Sequence, residues 1–301
     1  MVPGIYRIVV RRRGGGTGSA DYCYAVWLKH LTLLWQSGLR TMPSSVAELG
    51  PGDSLGVGLA ALLSGASRFH ALDVVAYSTA EKNLRVLDEL VARFRSRAPQ
   101  PIKGWPDFDQ YLDAELFPSH ILTDDVLAKT LAPNRISAIR EALRHPERSG
   151  EIVVRNVAPW TGEEDLERSS VDLIYSHSVL EHVTDVPAAF RCCASWLRED
   201  GWMSHQVDFT SQGITRAWNG HWQYPEWLWK IIVGGRPFLI NRHSASAQIR
   251  MLEAAGFETV MQMRNHRNDG MSRPELSAPW KDMSNDEVTC SDLFVQARKR
   301  G

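Results

Sequence analysis

The chain has 301 residues, of which 44% are hydrophobic and 23% charged, and its formal net charge is −1. These are the proportions of an ordinary globular protein, with room for one large domain or two small ones. They exclude a general electrostatic pull toward nucleic acid or an anionic membrane, and no stretch approaches the roughly 20 apolar residues of a membrane span.

In chain order, Ile8-Val9-Val10 runs into Arg11-Arg12-Arg13 and then Gly14-Gly15-Gly16. That is not the apolar core of a secretory signal, and it predicts a solvated, flexible arm over 1–20. Residues 21–37 space Val26, Leu31, Leu34 and Trp35 for an amphipathic helix that ends before Gly38. Short apolar runs at 46–49, 69–74, 151–157, 171–175 and 201–207 each predict a buried strand. Helices over 78–97 and 186–198 separate them, the first opened by a capping box of Ser78 and Glu81. Strands alternating with helices predict an α/β fold with a parallel sheet covered on both faces. A helix closing at Gly256 then precedes two strands, 257–263 and 292–298, joined by a polar loop. The segments 99–150 and 208–245 exceed a minimal sheet and read as insertions within one domain spanning 21–301. Of the four cysteines, Cys192 and Cys193 are neighbours, while Cys23 and Cys290 lie far apart. That spacing suits neither zinc nor a disulfide framework, so a cytoplasmic protein with reduced thiols is expected.

The sharpest motif is Glu48-Leu49-Gly50-Pro51-Gly52-Asp53-Ser54-Leu55-Gly56, after the first strand and before a helix expected from about Ser54. Glycines there let the backbone turn tightly and approach a ligand. A dinucleotide loop is G-x-G-x-x-G with pyrophosphate on the helix N-terminus. Here the last gap is one residue longer, and Glu48 would repel a pyrophosphate while suiting a positively charged cofactor. Asp73, followed by Val74, closes the second strand, where a carboxylate can accept hydrogen bonds from both ribose hydroxyls of an adenosine group. Loop and acid together still leave NAD and other adenosyl cofactors open.

The segment from Ser170 to Val183, SVDLIYSHSVLEHV, resembles the fourth motif of class I S-adenosylmethionine-dependent methyltransferases. Trp196 to Trp202 resembles that family's helix-to-strand turn, with Glu199-Asp200 replacing the commoner Pro-Gly. Leu252–Phe257 and the last strand through Ala297-Arg298-Lys299 also match, so the resemblance covers about 44–80 and 150–298. It implies a Rossmann-like, doubly wound seven-stranded sheet, mostly parallel with the last strand antiparallel, with helical insertions after strands two and five. It implies S-adenosylmethionine as cofactor, with Glu48, Gly50 and Gly52 along its methionine end and Asp73 on its ribose. Asn156 and Val157 would flank the adenine. Ser176 and His177 would contact the methionine part or face the acceptor, and Glu181 and His182 would pack or cap the following helix. More narrowly, Met203 to Arg242, with Ser204-His205-Gln206-Val207-Asp208 and Trp218-Asn219-Gly220-His221-Trp222, resembles a bacterial subgroup associated with polysaccharide biosynthesis.

The expected activity is O-methylation of a hydroxyl on a sugar, glycolipid or other polar small molecule. A hydroxyl is a poor nucleophile until its proton is taken. His205 is expected as the base at the end of the fifth strand, with Asp208 orienting it or holding a substrate hydroxyl. His177 at the end of the fourth strand and His221 in the tryptophan-rich segment compete for that role. Metal is not expected, because Asp208 stands nearly alone where clustered carboxylates would be needed. An NAD-dependent oxidoreductase and a non-catalytic cofactor- or sugar-binding relative are the alternatives. The stretch Trp218 to Trp229, WNGHWQYPEWLW, holds four of the eleven tryptophans. Trp218, Asn219, His221, Trp222, Tyr224 and Arg242 are expected to wall the acceptor pocket, with Trp227 and Trp229 facing different ways and at least one of them in the core.

Overall fold

The computed structural model describes residues 16–100, 104–106, 116–148, 150–235 and 239–300. The arm expected over 1–20 therefore lies outside the described residues up to position 15. From there Gly16–Gly18 forms a 3-10 turn, and the Ser19 hydroxyl accepts from the amide of Tyr22 to cap α1 (Ala20–Gln36).

The chain then alternates β1 (Ser45–Leu49), α2 (Gly56–Ser64), β2 (Arg68–Leu72) and α3 (Ala80–Ser96). The insertion that follows supplies α4 (Asp124–Thr130) and α5 (Pro133–Arg144). After it come β3 (Val153–Val157), β4 (Val171–His177), α6 (Val186–Trp196) and β5 (Leu197–Asp208). A second insertion carries α7 (Glu226–Val233) and leads into α8 (Ala245–Ala254), β6 (Phe257–His266), α9 (Asn285–Thr289) and β7 (Cys290–Lys299).

The strands form one sheet of order β3-β2-β1-β4-β5-β7-β6. Every pairing from β3 to β5 is parallel, and β7 runs antiparallel between β5 and β6. This is the seven-stranded, doubly wound sheet that the resemblance implied. Side chains alternate across it with period two. Val46, Phe69, Leu173 and Tyr175 face a core shared with α1, α2, α3 and α5. Ala47, Leu72, Ile174 and Met203 face a second core under α6 and α8. Leu127, Ile136 and Ile139 of the first insertion join the former core, so that insertion thickens one face of the sheet.

Two boundary expectations need correction. Helix α3 is capped by Thr79, whose hydroxyl accepts from the amide of Lys82, so Ser78 and Glu81 form no capping box. Thr79 is the last extended residue before the first turn, which is where a capping side chain must stand. The Ser78 hydroxyl instead accepts from the Asn156 side chain. Strand β5 begins at Leu197, which pairs with Val171, and it runs through Asp208, well beyond the 201–207 expected.

Candidate cofactor and acceptor site

Strand β1 has β2 on one side and β4 on the other, so the loop after Leu49 leaves the sheet at its topological switch point. Gly50 and Gly52 both take left-handed backbone, φ +67 and +71, which costs a residue with a side chain roughly 1–2 kcal/mol. A Cβ on Gly50 would also stand 2.6 Å from Cγ2 of Val179 in the β4 loop. Pro51 is buried and Asp53 half-buried.

The start of α2 is closed by protein groups. The Ser54 amide donates to the Thr17 hydroxyl at 3.3 Å, the Leu55 amide to Asn83 Oδ1 at 2.9 Å, and the Gly56 amide to the Ser54 hydroxyl at 3.1 Å. The Ser54 hydroxyl in turn donates to the Thr17 carbonyl. A pyrophosphate needs those amides free. Glu48 excludes it less than expected, because the side chain is buried and accepts from the Tyr175 hydroxyl at 3.2 Å. Burial pushes its carboxyl up to about 8 against the pull of that hydrogen bond, so at neutral pH Glu48 is mostly uncharged.

Asp73 follows β2 directly. Its Oδ2 accepts from the Gly52 amide at 3.3 Å and its Oδ1 from the Val74 amide at 2.7 Å, which ties it to the glycine loop. Its own amide donates to the carbonyl of Val157, the last residue of β3, and Val74 beside it is exposed. Asn156 is exposed on the same edge. Loop, acid and the β3 end thus adjoin one another, with Gly50 packed close on Val179 and Gly52 on Thr17, a fit for an adenosyl group without phosphates.

The histidines separate sharply. His205 is 0% exposed, its Nδ1 bonded to the Ser176 hydroxyl at 2.8 Å and its ring against Phe190 of α6. Burial lowers its pKa to about 3. The expectation that it emerges at the acceptor edge is corrected, because His205 pairs with Ser176 of β4 and its side chain turns under Phe190 of α6. Asp208, an odd number of residues along, faces the opposite side and cannot orient that ring. It accepts instead from the Thr210 amide at 2.7 Å and from Gln212 at 2.6 Å. His177 is the last residue of β4, half-buried on the α1 face. Its ring meets Tyr22 and His30 edge-on, with centroids 6.0 and 5.7 Å away. Burial and the charge of Lys29 lower its pKa to about 3, so its imidazole is neutral.

Beyond His177 the edge becomes acidic. Ser178 donates to Gln206 Oε1 at 2.7 Å, and Gln206 donates to Asp292 Oδ1 at 3.3 Å. Ser291 and Asn265 also donate to Asp292, at 2.7 and 3.3 Å. Burial raises the Asp292 carboxyl, and the charge of Asp208 adds to the rise. Glu181 is 2% exposed in the 3-10 turn Leu180–His182. Burial pushes its carboxyl well above the usual range; the charges of Asp208 and Asp292 push the same way, and the amides of Glu181 and Asp208 oppose them. Sequence patterning assigned Glu181 to packing and attached nothing to Asp292. The signal available was an acidic residue just after β4 and another near the start of β7, on either side of the β5 end.

The tryptophan segment faces mostly inward. Trp222 is 0% exposed in a small core with Leu276 and Val288, and its indole donates to the Arg242 carbonyl at 3.0 Å. The Asn219 side chain donates to the Met271 and Val288 carbonyls and accepts from the Met271 amide, at 3.1, 3.2 and 2.7 Å. Arg242 lies over Trp229 and Trp280, donates to the carbonyls of His221 and Tyr224, and pairs with Glu226. Trp218, His221 and Trp229 are buried too, and Tyr224 stacks on Trp229. Residues expected to wall the acceptor therefore bolt the insertion to the β6–β7 loop. Trp227, at 64% exposed, faces the other way from Trp229.

A family model described as a methyltransferase domain matches residues 42–262. No curated protein matches the chain. Among solved structures it is similar to an S-adenosylmethionine-dependent methyltransferase from Mesorhizobium loti, at 15% identity and a TM-score of 0.44, over 94% of this chain and 99% of that one. It is also similar to one from Methanosarcina mazei, at 9% identity and a TM-score of 0.46, over 89% of this chain and 97% of that one.

Proposed function

This chain belongs to the methyltransferase domain family, and from that premise we propose that it methylates a hydroxyl of a small polar molecule, a sugar or glycolipid being the best match. It is an enzyme, and its cofactor is S-adenosylmethionine. The observation that carries the cofactor assignment at residue level is the α2 N-terminus, already capped by Thr17, Asn83 and Ser54 beside two left-handed glycines. That arrangement favours an adenosyl sulfonium over a dinucleotide and argues against an oxidoreductase.

When bound, S-adenosylmethionine supplies an electrophilic methyl, so the protein's task is alignment of the acceptor. In this reading Gly50, Pro51, Gly52, Asp53 and Ser54 bring backbone close to the methionine part, above the neutral Glu48. Asp73 accepts from the ribose hydroxyls, with Val74, Asn156 and Val157 beside the adenine. The Ser176 hydroxyl is committed to His205, which leaves His177 as the side chain facing the reacting groups. His177 takes the acceptor's proton at its neutral imidazole, and Asp208 holds a neighbouring hydroxyl of the acceptor. His205, with Ser176, positions the β4 end from below. Trp218, Asn219, His221, Trp222, Tyr224 and Arg242 hold the acceptor side in shape from inside the insertion. The resemblance of Met203–Arg242 to polysaccharide-associated methyltransferases supports a sugar.

Two measurements test the reading. Calorimetric titration should detect S-adenosylmethionine binding and none of NAD, with Asp73→Asn weakening the former about tenfold through loss of charge-assisted hydrogen bonds. Mass spectrometry of polar extracts from cells with and without the protein should then find an O-methylated product. His177→Gln should lower its formation while leaving cofactor affinity unchanged. An N-methylated product, or full turnover without His177, would remove the hydroxyl acceptor or the base respectively.

A further inference from the structure

The ends of β4 and β5 and the start of β7 bring three carboxyl groups together. Asp208 and Asp292 stand directly opposite each other in the antiparallel β5–β7 ladder, a position at which two like charges cost stability. Alternation places both on the face that carries Phe294, which packs against His30 of α1. An independent observation comes from a different element. Glu181, in the turn after β4, is 2% exposed, and neither of its carboxyl oxygens completes a hydrogen bond. Its turn adjoins the end of β5, where the Ser178 amide donates to the Gln206 carbonyl at 3.0 Å, so the charges of Asp208 and Asp292 act on it.

A buried carboxyl whose oxygens complete no hydrogen bond is costly, and folding alone gives no reason to keep it beside two aspartates. The cations at hand do not match it. His182 Nε2 comes only to 4.0 Å from Glu181 Oε1. Arg267 holds Asp269 with two hydrogen bonds, at 3.0 and 2.7 Å, on the exposed side. Nor do these carboxyl groups form a metal cage, since among the described residues no group of His, Cys, Asp and Glu has that arrangement. A primary ammonium fits better, because it offers three N–H donors in diverging directions to separate acceptors. Ser178, Gln206 and Gln212 surround the same group, Ser178 bonded to Gln206, Gln206 to Asp292 and Gln212 to Asp208.

We propose that Glu181, Asp208 and Asp292 bind the protonated primary amine of the methyl acceptor, which makes that acceptor an amino sugar or amino alcohol. This rests on the methyltransferase reading above and narrows its substrate class. The probes are D-glucosamine and its uncharged counterpart N-acetyl-D-glucosamine, titrated by ligand-observed NMR into the full chain saturated with S-adenosylhomocysteine. Glucosamine should bind at least about tenfold more tightly, as expected for a charged hydrogen-bonded group. Glu181→Gln and Asp292→Asn should each remove most of that preference, weakening glucosamine binding far more than N-acetylglucosamine binding, an asymmetry that a merely structural role would not produce. Thermal unfolding of each variant reports whether it folds; if Asp292→Asn does not, Glu181→Gln, which is isosteric and uncharged, carries the test. Equal binding of the two sugars overturns the proposal, as does absence of glucosamine binding in protein that takes up S-adenosylhomocysteine. Protein that binds no S-adenosylhomocysteine overturns the methyltransferase reading itself, and this inference with it.

Discussion

The glycine loop and the tryptophan segment are the two most conspicuous stretches of the chain, and the fold treats them in opposite ways. The loop's chemistry is in its backbone: Gly50 and Gly52 bend it at φ +67 and +71, and Asp73 binds it through the Gly52 amide. The segment's chemistry is in its side chains, and most of these turn inward, with Trp222, Asn219 and Arg242 closing on the β6–β7 loop. Where backbone conformation is the message, residue type and spacing convey it directly. Where side-chain direction is the message, it waits on strand lengths and on partners distant in sequence.

The largest effect that could break this comparison is on stability. Trp222→Ala should cost about 3–5 kcal/mol, the range for emptying a buried aromatic site, while Trp227→Ala, exposed on α7, should stay within about 0.5 kcal/mol. Urea unfolding of both variants gives the difference. If Trp222→Ala left stability alone and raised only the acceptor KM, the segment would return to the acceptor wall.

Next in size is Gly50→Ala. Left-handed backbone and a Cβ 2.6 Å from Val179 should together destabilise the chain by roughly 2–4 kcal/mol. Gly52→Ala meets only the Thr17 hydroxyl, at 3.1 Å, and should cost less, about 1–2 kcal/mol from its backbone alone. Unfolding read beside calorimetric cofactor titration would sharpen the comparison. Equal, small costs for the two would mean that the loop can relax without its glycines.

Much of the fold was legible because period-two strands, glycine turns and an acid at a strand end are local signals. The strands expected at 46–49 and 171–175 fall on β1 and β4, and Asp73 directly follows β2. The site was less legible, for physical reasons that can be named. His205 lay within the expected strand, but the face it takes depends on Ser176 of β4 and Phe190 of α6, which no local pattern pairs with it. Thr17, distant in sequence from α2, supplies a cap that no local motif announces. Glu181 gained meaning only when the antiparallel β7 brought Asp292 opposite Asp208.

The smallest effect tests the face on which His205 lies. In the folded chain its pKa is about 3, lowered from the ordinary 6.5 by burial. The unfolded chain therefore takes up a proton below 6.5 that the folded chain refuses. The stability this residue leaves intact above pH 6.5 is lost as pH falls from there toward 3, at about 1.4 kcal/mol per pH unit. His177 and His221, also held near 3, act in the same direction. His205→Gln keeps a side chain able to hydrogen-bond Ser176 and removes one titrating group. Urea unfolding between about pH 6 and pH 4 should then show a slope shallower by one proton, about 1.4 kcal/mol per pH unit. An unchanged slope would mean that His205 reaches solvent and charges in the folded chain. In that event it would be open to the acceptor edge after all, and the assignment of the base to His177 would have to be reversed.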